Sequence, residues 1–182
     1  MDCNVNYEII AKQVRRNNDQ KLAVICYARY EDKILFLKRK YEPFSGFLVP
    51  PGGKVEKDEE IENAVRREYL EETGLVLENL ELRVVTSEIG PQLYNWILFI
   101  FVGKVNSNKT IDCSEGELIW VNESDLFQNL SAVEISPIDK ALIPYIFKPG
   151  IKLAFIDYSE DKKIKRLDII NCDSNLSDLW YN

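Results

Sequence analysis

The sequence predicts a mixed α+β fold. Three observations carry that prediction. A length of 182 residues with 46% hydrophobic side chains suits one globular core. Short β-rich runs are separated by turn residues, and some of them pair as hairpins. One clear helix begins among acids and stops at a glycine. With no repeat, low-complexity tract or linker, residues 1–182 are read as a single domain.

The elements follow in chain order. Residues 1–20 are polar and weakly patterned, a short helix or a loose arm. Leu22–Tyr30 is apolar on both faces, Glu31-Asp32 turns the chain, and Lys33–Lys40 returns as the second arm of a hairpin. Tyr41–Phe47 is a loop that leads to Leu48-Val49 and then to Pro50-Pro51-Gly52-Gly53. Asp58–Thr73 is the helix, with Asp58 as N-cap and Gly74 as the stop. Leu75–Ile89 and Leu93–Val105 are β segments divided by Gly90-Pro91. Glu117–Val121 is a short strand and Glu123–Leu130 a short helix. Ser136–Phe147 is helical, capped by Ser136 with Pro137 at its first position. Lys152–Tyr158 and Lys163–Ile170 form a last hairpin, and a tail completes the segment 148–182.

Composition removes whole classes of chemistry. The chain has no histidine, which excludes Ser-His-Asp and Cys-His hydrolases, histidine-ligated metals and imidazole as a general base. Carboxylates, lysines, tyrosines or oxygen-ligated metals must carry any catalysis at neutral pH. The four cysteines stand far apart, so they read as free thiols of a reducing, cytoplasmic setting and not as a disulfide or zinc framework. The first ten residues show no secretory pattern. The longest apolar runs, Leu22–Ala28 and Trp96–Val102, fall far short of the ~20 residues of a membrane helix. A net charge of −7 argues against bulk nucleic-acid or anionic-membrane binding.

That charge is concentrated. Glu56–Glu72 holds eight acids and three bases, which accounts for five of the seven net negative charges. On a helical wheel Ile61, Ala64 and Val65 define the inward face, and Glu68, Glu71 and Glu72 continue the same stripe. Leu70 lies opposite and must be covered by another part of the fold or by a partner. A solvated helix would keep its acids off the apolar stripe. Carboxylates crowded at i, i+3 and i+4 repel one another, and a hard divalent cation such as Mg²⁺ is the natural relief. A solvated acidic run remains the alternative.

Gly53–Leu75 (GKVEKDEEIENAVRREYLEETGL) resembles the signature of the Nudix hydrolase family. Gly53, Glu59, Arg67, Glu68, Glu71, Glu72, Gly74 and Leu75 fill every fixed position. Tyr69 departs softly, standing where a smaller aliphatic residue is commoner. The resemblance implies an α/β/α sandwich on a mixed sheet, with the signature as a loop-helix-loop. It implies water attack on phosphorus in a nucleoside diphosphate linked to another group, with Mg²⁺ or Mn²⁺ as cofactor. Glu68, Glu71 and Glu72 match the family's metal ligands, joined by the Gly53 carbonyl, and Glu68 also matches a base for the attacking water. Arg67 and Glu59 match the pair that braces loop against helix. Arg39 stands where relatives carry a phosphate-binding arginine; an edge-strand cation is the alternative. Ser114–Trp120 resembles the segment in which relatives place a further metal-binding or base glutamate, with Glu115 the first choice and Glu117 the second; a plain loop acid is the alternative.

Phosphoryl transfer requires positioning and charge neutralisation more than it requires histidine. The reading that follows is a pyrophosphohydrolase that takes a nucleoside triphosphate, including an oxidised purine such as 8-oxo-dGTP, to a monophosphate and pyrophosphate. ADP-ribose or a nucleotide sugar is the rival substrate, supported by the Gly90-Pro91 landmark. A nucleotide-sensing module without turnover is the rival of another class. Tyr27, Phe44, Phe47, Tyr94 and Trp96 are candidates for lining a base site, and Leu179-Trp180-Tyr181 is a core-docking tail or a homodimer contact.

Overall fold

The computed structural model describes residues 5–91, 94–161 and 163–172. Its elements are α1 (Tyr7–Val14), β1 (Lys21–Tyr30), β2 (Lys33–Arg39), β3 (Leu48–Val49), β4 (Gly52–Lys54), α2 (Ile61–Thr73), β5 (Glu78–Ile89), β6 (Asn95–Lys104), β7 (Gly116–Asn122), α3 (Glu123–Gln128), α4 (Pro137–Ile146), β8 (Ile151–Tyr158) and β9 (Ile164–Cys172), with a single 3-10 turn at Leu130–Ala132. The strands form one sheet in the order β3-β2-β1-β6-β5-β8-β9, with β4 also on β1 and β7 also on β2. The β1–β6 and β5–β8 joins are parallel and the others antiparallel. Helices cover both faces, as expected of an α/β/α sandwich.

The apolar alternation of the strands builds two cores. On one face Ile10 and Val14 of α1 and Ile61, Ala64, Val65 and Tyr69 of α2 pack on Val24, Cys26, Phe99 and Phe101. On the other, Leu126 of α3 and Ile138, Leu142 and Ile146 of α4 pack on Tyr27, Phe36, Val84 and Ile100. None of the described helices is long and apolar enough to cross a membrane.

The amino-terminal segment resolves into a docked helix, not a loose arm. Asn6 caps α1 through its side chain, and the Arg16 guanidinium fastens the segment that follows. It donates to Asp157 Oδ1 at 2.5 Å and to the carbonyls of Ser87 and Ile156, joining β5 and β8. Three expectations need correction. Asp58 is not the N-cap: it sits in the left-handed region (φ 63°), and α2 starts later, behind Glu60, with no side-chain cap bond. Leu70 is only partly covered by the described chain, at 46% exposed, which leaves a partner as the cover the sequence reading offered. Gly52–Lys54, read only as punctuation, is a strand on β1. The expected role of Leu179-Trp180-Tyr181 lies outside the described residues.

Candidate active site

The site is built where α2 passes the β1–β4 turn. Gly52 pairs with Ile25 and Gly53 with Val24, and a side chain added at either position would meet a close neighbour. At Gly52, with φ 150°, a Cβ would fall 2.1 Å from the Val24 carbonyl oxygen. At Gly53 it would fall 2.4 Å from Glu68 Oε2. The turn therefore lies flat against the carboxylates of α2, which ends at Gly74 in the left-handed conformation.

Arg67 organises the loop before the helix. Its Nε and Nη2 donate to both oxygens of Glu59, at 2.8 and 2.9 Å, and Nη2 also reaches the Lys54 carbonyl at 3.1 Å. Its Nη1 donates to Glu68 at 2.9 Å and to Glu71 at 3.5 Å. Glu59 in turn accepts from the Glu56 backbone N–H at 2.9 Å. The bond from Arg67 is the main reason the Glu59 carboxyl is held below its ordinary range. One guanidinium thus ties strand, loop and helix together.

Glu72 is the buried acid. It is 9% exposed and accepts a hydrogen bond from the Gly52 N–H at 2.9 Å. Burial, with the nearby charges of Glu115 and Glu68, pushes its pKa up to about 7, opposed by the Gly52 bond and by Arg39. Glu115 comes from the turn ahead of β7, because Arg39 of β2 is in register with Gly116. Arg39 Nη2 lies 3.7 Å from Glu115 Oε2. Glu117 pairs opposite Lys38 and does not enter the field at Glu72. Of the two acids considered, Glu115 is the one whose charge acts on Glu72.

Glu71 stands at the margin, with its side chain 62% exposed. Among the described residues no three acidic groups already converge as a ready metal site: Glu68 is turned to Arg67, Glu72 holds Gly52, and Glu71 faces outward. The chemistry of the donors nevertheless fits a hard divalent cation. They are all oxygens, and Glu72 sits buried between like charges that burial alone would not tolerate. The residues that would hold such an ion are Glu68, Glu71, Glu72, Glu115 and the Gly53 carbonyl.

The sequence reading missed Gly52 as a donor to Glu72; the Pro-Pro-Gly-Gly run was its only signal. It also missed a buried polar cluster on the opposite face. Asp139 of α4 accepts from the Tyr27 hydroxyl at 2.5 Å and from Ser136. Glu88 accepts from Thr86, Tyr94 and Tyr158. Tyr27, a candidate for base lining, is committed to this cluster and 1% exposed. Phe47 is the exposed candidate.

The family model of the NUDIX domain matches residues 19–144. An uncharacterised Nudix hydrolase of Bacillus subtilis (strain 168), YvcI, is 33% identical over 128 residues, covering 68% of this chain and 77% of that protein. An ADP-ribose pyrophosphatase of Methanocaldococcus jannaschii is 54% identical over 46 residues, only 25% of this chain and 27% of its own. Among solved structures, a MutT protein of Bacillus halodurans superposes with a TM-score of 0.70 at 25% identity, covering 82% of this chain and 97% of its own.

Proposed function

The chain belongs to the Nudix family, hydrolases of pyrophosphate bonds, and from that premise we propose a Mg²⁺-dependent pyrophosphohydrolase that cleaves a nucleoside triphosphate to a monophosphate and pyrophosphate. The single observation that carries the proposal is the buried Glu72, placed beside Glu68 and Glu115 and against the glycine turn. Glu68, Glu71, Glu72, Glu115 and the Gly53 carbonyl would hold the divalent ion, Mg²⁺ or Mn²⁺. When bound, the ion neutralises substrate phosphates and makes a coordinated water more acidic. Glu68 accepts the proton of the attacking water, Arg67 keeps Glu68 and Glu71 in position, and Arg39 binds a phosphate. Phosphorus gains an oxygen from water as its bond to the bridging oxygen breaks, and pyrophosphate leaves.

Within that class an oxidised purine triphosphate is one proposed substrate. ADP-ribose is a second reading, favoured by the 46-residue stretch shared with an archaeal ADP-ribose pyrophosphatase. A hydrolysis screen decides between them. Canonical and oxidised nucleoside triphosphates, ADP-ribose, dinucleoside polyphosphates and capped RNA are each incubated with Mg²⁺ and with EDTA, and products are resolved by phosphorus NMR. Triphosphate turnover with pyrophosphate release supports the proposal. Cleavage of ADP-ribose alone replaces it with the second reading, and binding without turnover leaves a sensor domain.

A further inference from the structure

The sheet face that carries α4 runs out of helix before it runs out of strand. α4 ends at Ile146, and beyond it β1, β5 and β6 border a basin of about 550 Å³. Tyr27 and Val102 line it from the sheet and Phe147 from the helix end, while Arg29, Arg83 and Lys104 bring three cations to it. The signature helix α2 packs on the opposite face, so this basin is separate from the acidic site.

Two irregularities of β5 shape it. Leu82 pairs with Phe101 and Val84 with Ile100, leaving Arg83 as an extra residue between them. A second register shift lies between Glu78 and Glu81, where Asn79 takes a left-handed conformation (φ 49°) and also lines the basin. Bulges of this kind re-aim a side chain out of the ladder. Arg29 and Lys104 are direct partners in the parallel β1–β6 register, so the two cations leave the same face side by side. Like charges so placed repel.

The cations are only partly answered. Arg29 pairs with Glu123, and Arg83 Nη2 lies 2.7 Å from Glu81, an acid that is 60% exposed and free to swing aside. Lys104 has no ion-pair partner among the described residues. The Nε of Arg83 is buried without a hydrogen-bond partner, whereas that of Arg29 is the atom set against Glu123. The carbonyls after α4 do not oppose an anion, because Lys152 Nζ takes those of Lys148, Pro149 and Gly150 at 2.5, 2.6 and 2.8 Å.

We infer that this basin is a second, non-catalytic site for a phosphate-bearing small molecule. Guanidinium groups present paired donors that match phosphate oxygens, and the volume lies in the range of small-molecule sites. Inorganic pyrophosphate and a nucleoside monophosphate share that chemistry. The inference stands apart from the catalytic reading, and either can fail alone.

The test is calorimetric titration of the full chain in EDTA, where the acidic site repels anions, with inorganic pyrophosphate and, separately, AMP. One saturable site is expected. The double variant Arg83→Gln/Lys104→Gln should weaken it about tenfold or more, and Arg39→Gln should leave it unchanged. Lys104→Gln alone, at an exposed position, should weaken it about threefold and keeps the test valid if the double variant melts early. Tighter AMP binding identifies a nucleotide, and tighter or equal pyrophosphate binding identifies the inorganic anion. No saturable binding of either probe, or binding lost in Arg39→Gln and kept in the basin variants, overturns the inference.

Discussion

At Glu72 a carboxyl is buried beside two like charges and held by one backbone N–H, an arrangement that favours chemistry over stability. Glu72→Gln keeps the shape and the acceptor while removing the charge, so the metal-free protein should melt no lower than wild type at pH 8. Turnover should fall by about a hundredfold or more. Glu71 differs because it is exposed. Glu71→Gln should change metal-free stability by less than about 0.5 kcal/mol, yet turnover at saturating Mg²⁺ should still fall steeply. Wild-type turnover in that variant removes Glu71 from the site. Asp139 gives a separate prediction about pH. Burial raises its pKa to about 6, against the pull of its bonds from Ser136 and Tyr27. Between its ordinary value and 6 the folded state holds the extra proton, so this residue's contribution falls as pH rises through that window. The stability of wild type minus that of Asp139→Asn, from urea unfolding, should therefore drop between about pH 4 and pH 6 and level off above, by about 2–3 kcal/mol. A flat difference would show that the carboxyl titrates normally.

The elements themselves show what a sequence can disclose. The stop of α2 at Gly74, the Ser136 cap of α4 and the β8–β9 hairpin were legible because each depends on residues close along the chain. Asp58 misled for the same reason: it has the right chemistry for a cap, but the chain turns left-handed there and Glu59 beside it is claimed by Arg67. Strand β4 was hidden because three residues, two of them glycine, carry no alternation to read. The meeting of Arg39 with Glu115 was also beyond local reasoning, since only the β2–β7 register brings them together. At this scale the two glycines of β4 separate folding from catalysis. Gly52→Ala drives a Cβ into the Val24 backbone from a φ that L residues avoid, and should cost about 3 kcal/mol or more. Gly53→Ala meets only the end of the flexible Glu68 side chain. It should fold with nearly wild-type melting and lose turnover as Glu68 is displaced. Equal melting of the two variants would contradict this division.

For the whole molecule, a charge of −7 with an all-oxygen set of candidate donors predicts strict dependence on a divalent metal. Activity should vanish in EDTA and return with Mg²⁺ or Mn²⁺, with no need for zinc. It should also rise into the alkaline range as the attacking water loses its proton more easily. Full activity after exhaustive chelation would overturn the metal dependence, and a peak near pH 5 would contradict the proposed mechanism. The sheet order carries a further consequence. Lys21 pairs with Trp96, Arg39 with Gly116 and Val84 with Lys152, so the central joins wait on residues made much later. Such distant contacts slow folding, because loop entropy is lost before the strands can reward it. A ribosome that has released only the segment through α2 has supplied both glycines and three glutamates, but neither β6 to complete the sheet nor Glu115 to face Arg39. On the proposed reading, hydrolysis thus waits for the chain to be synthesised through β7.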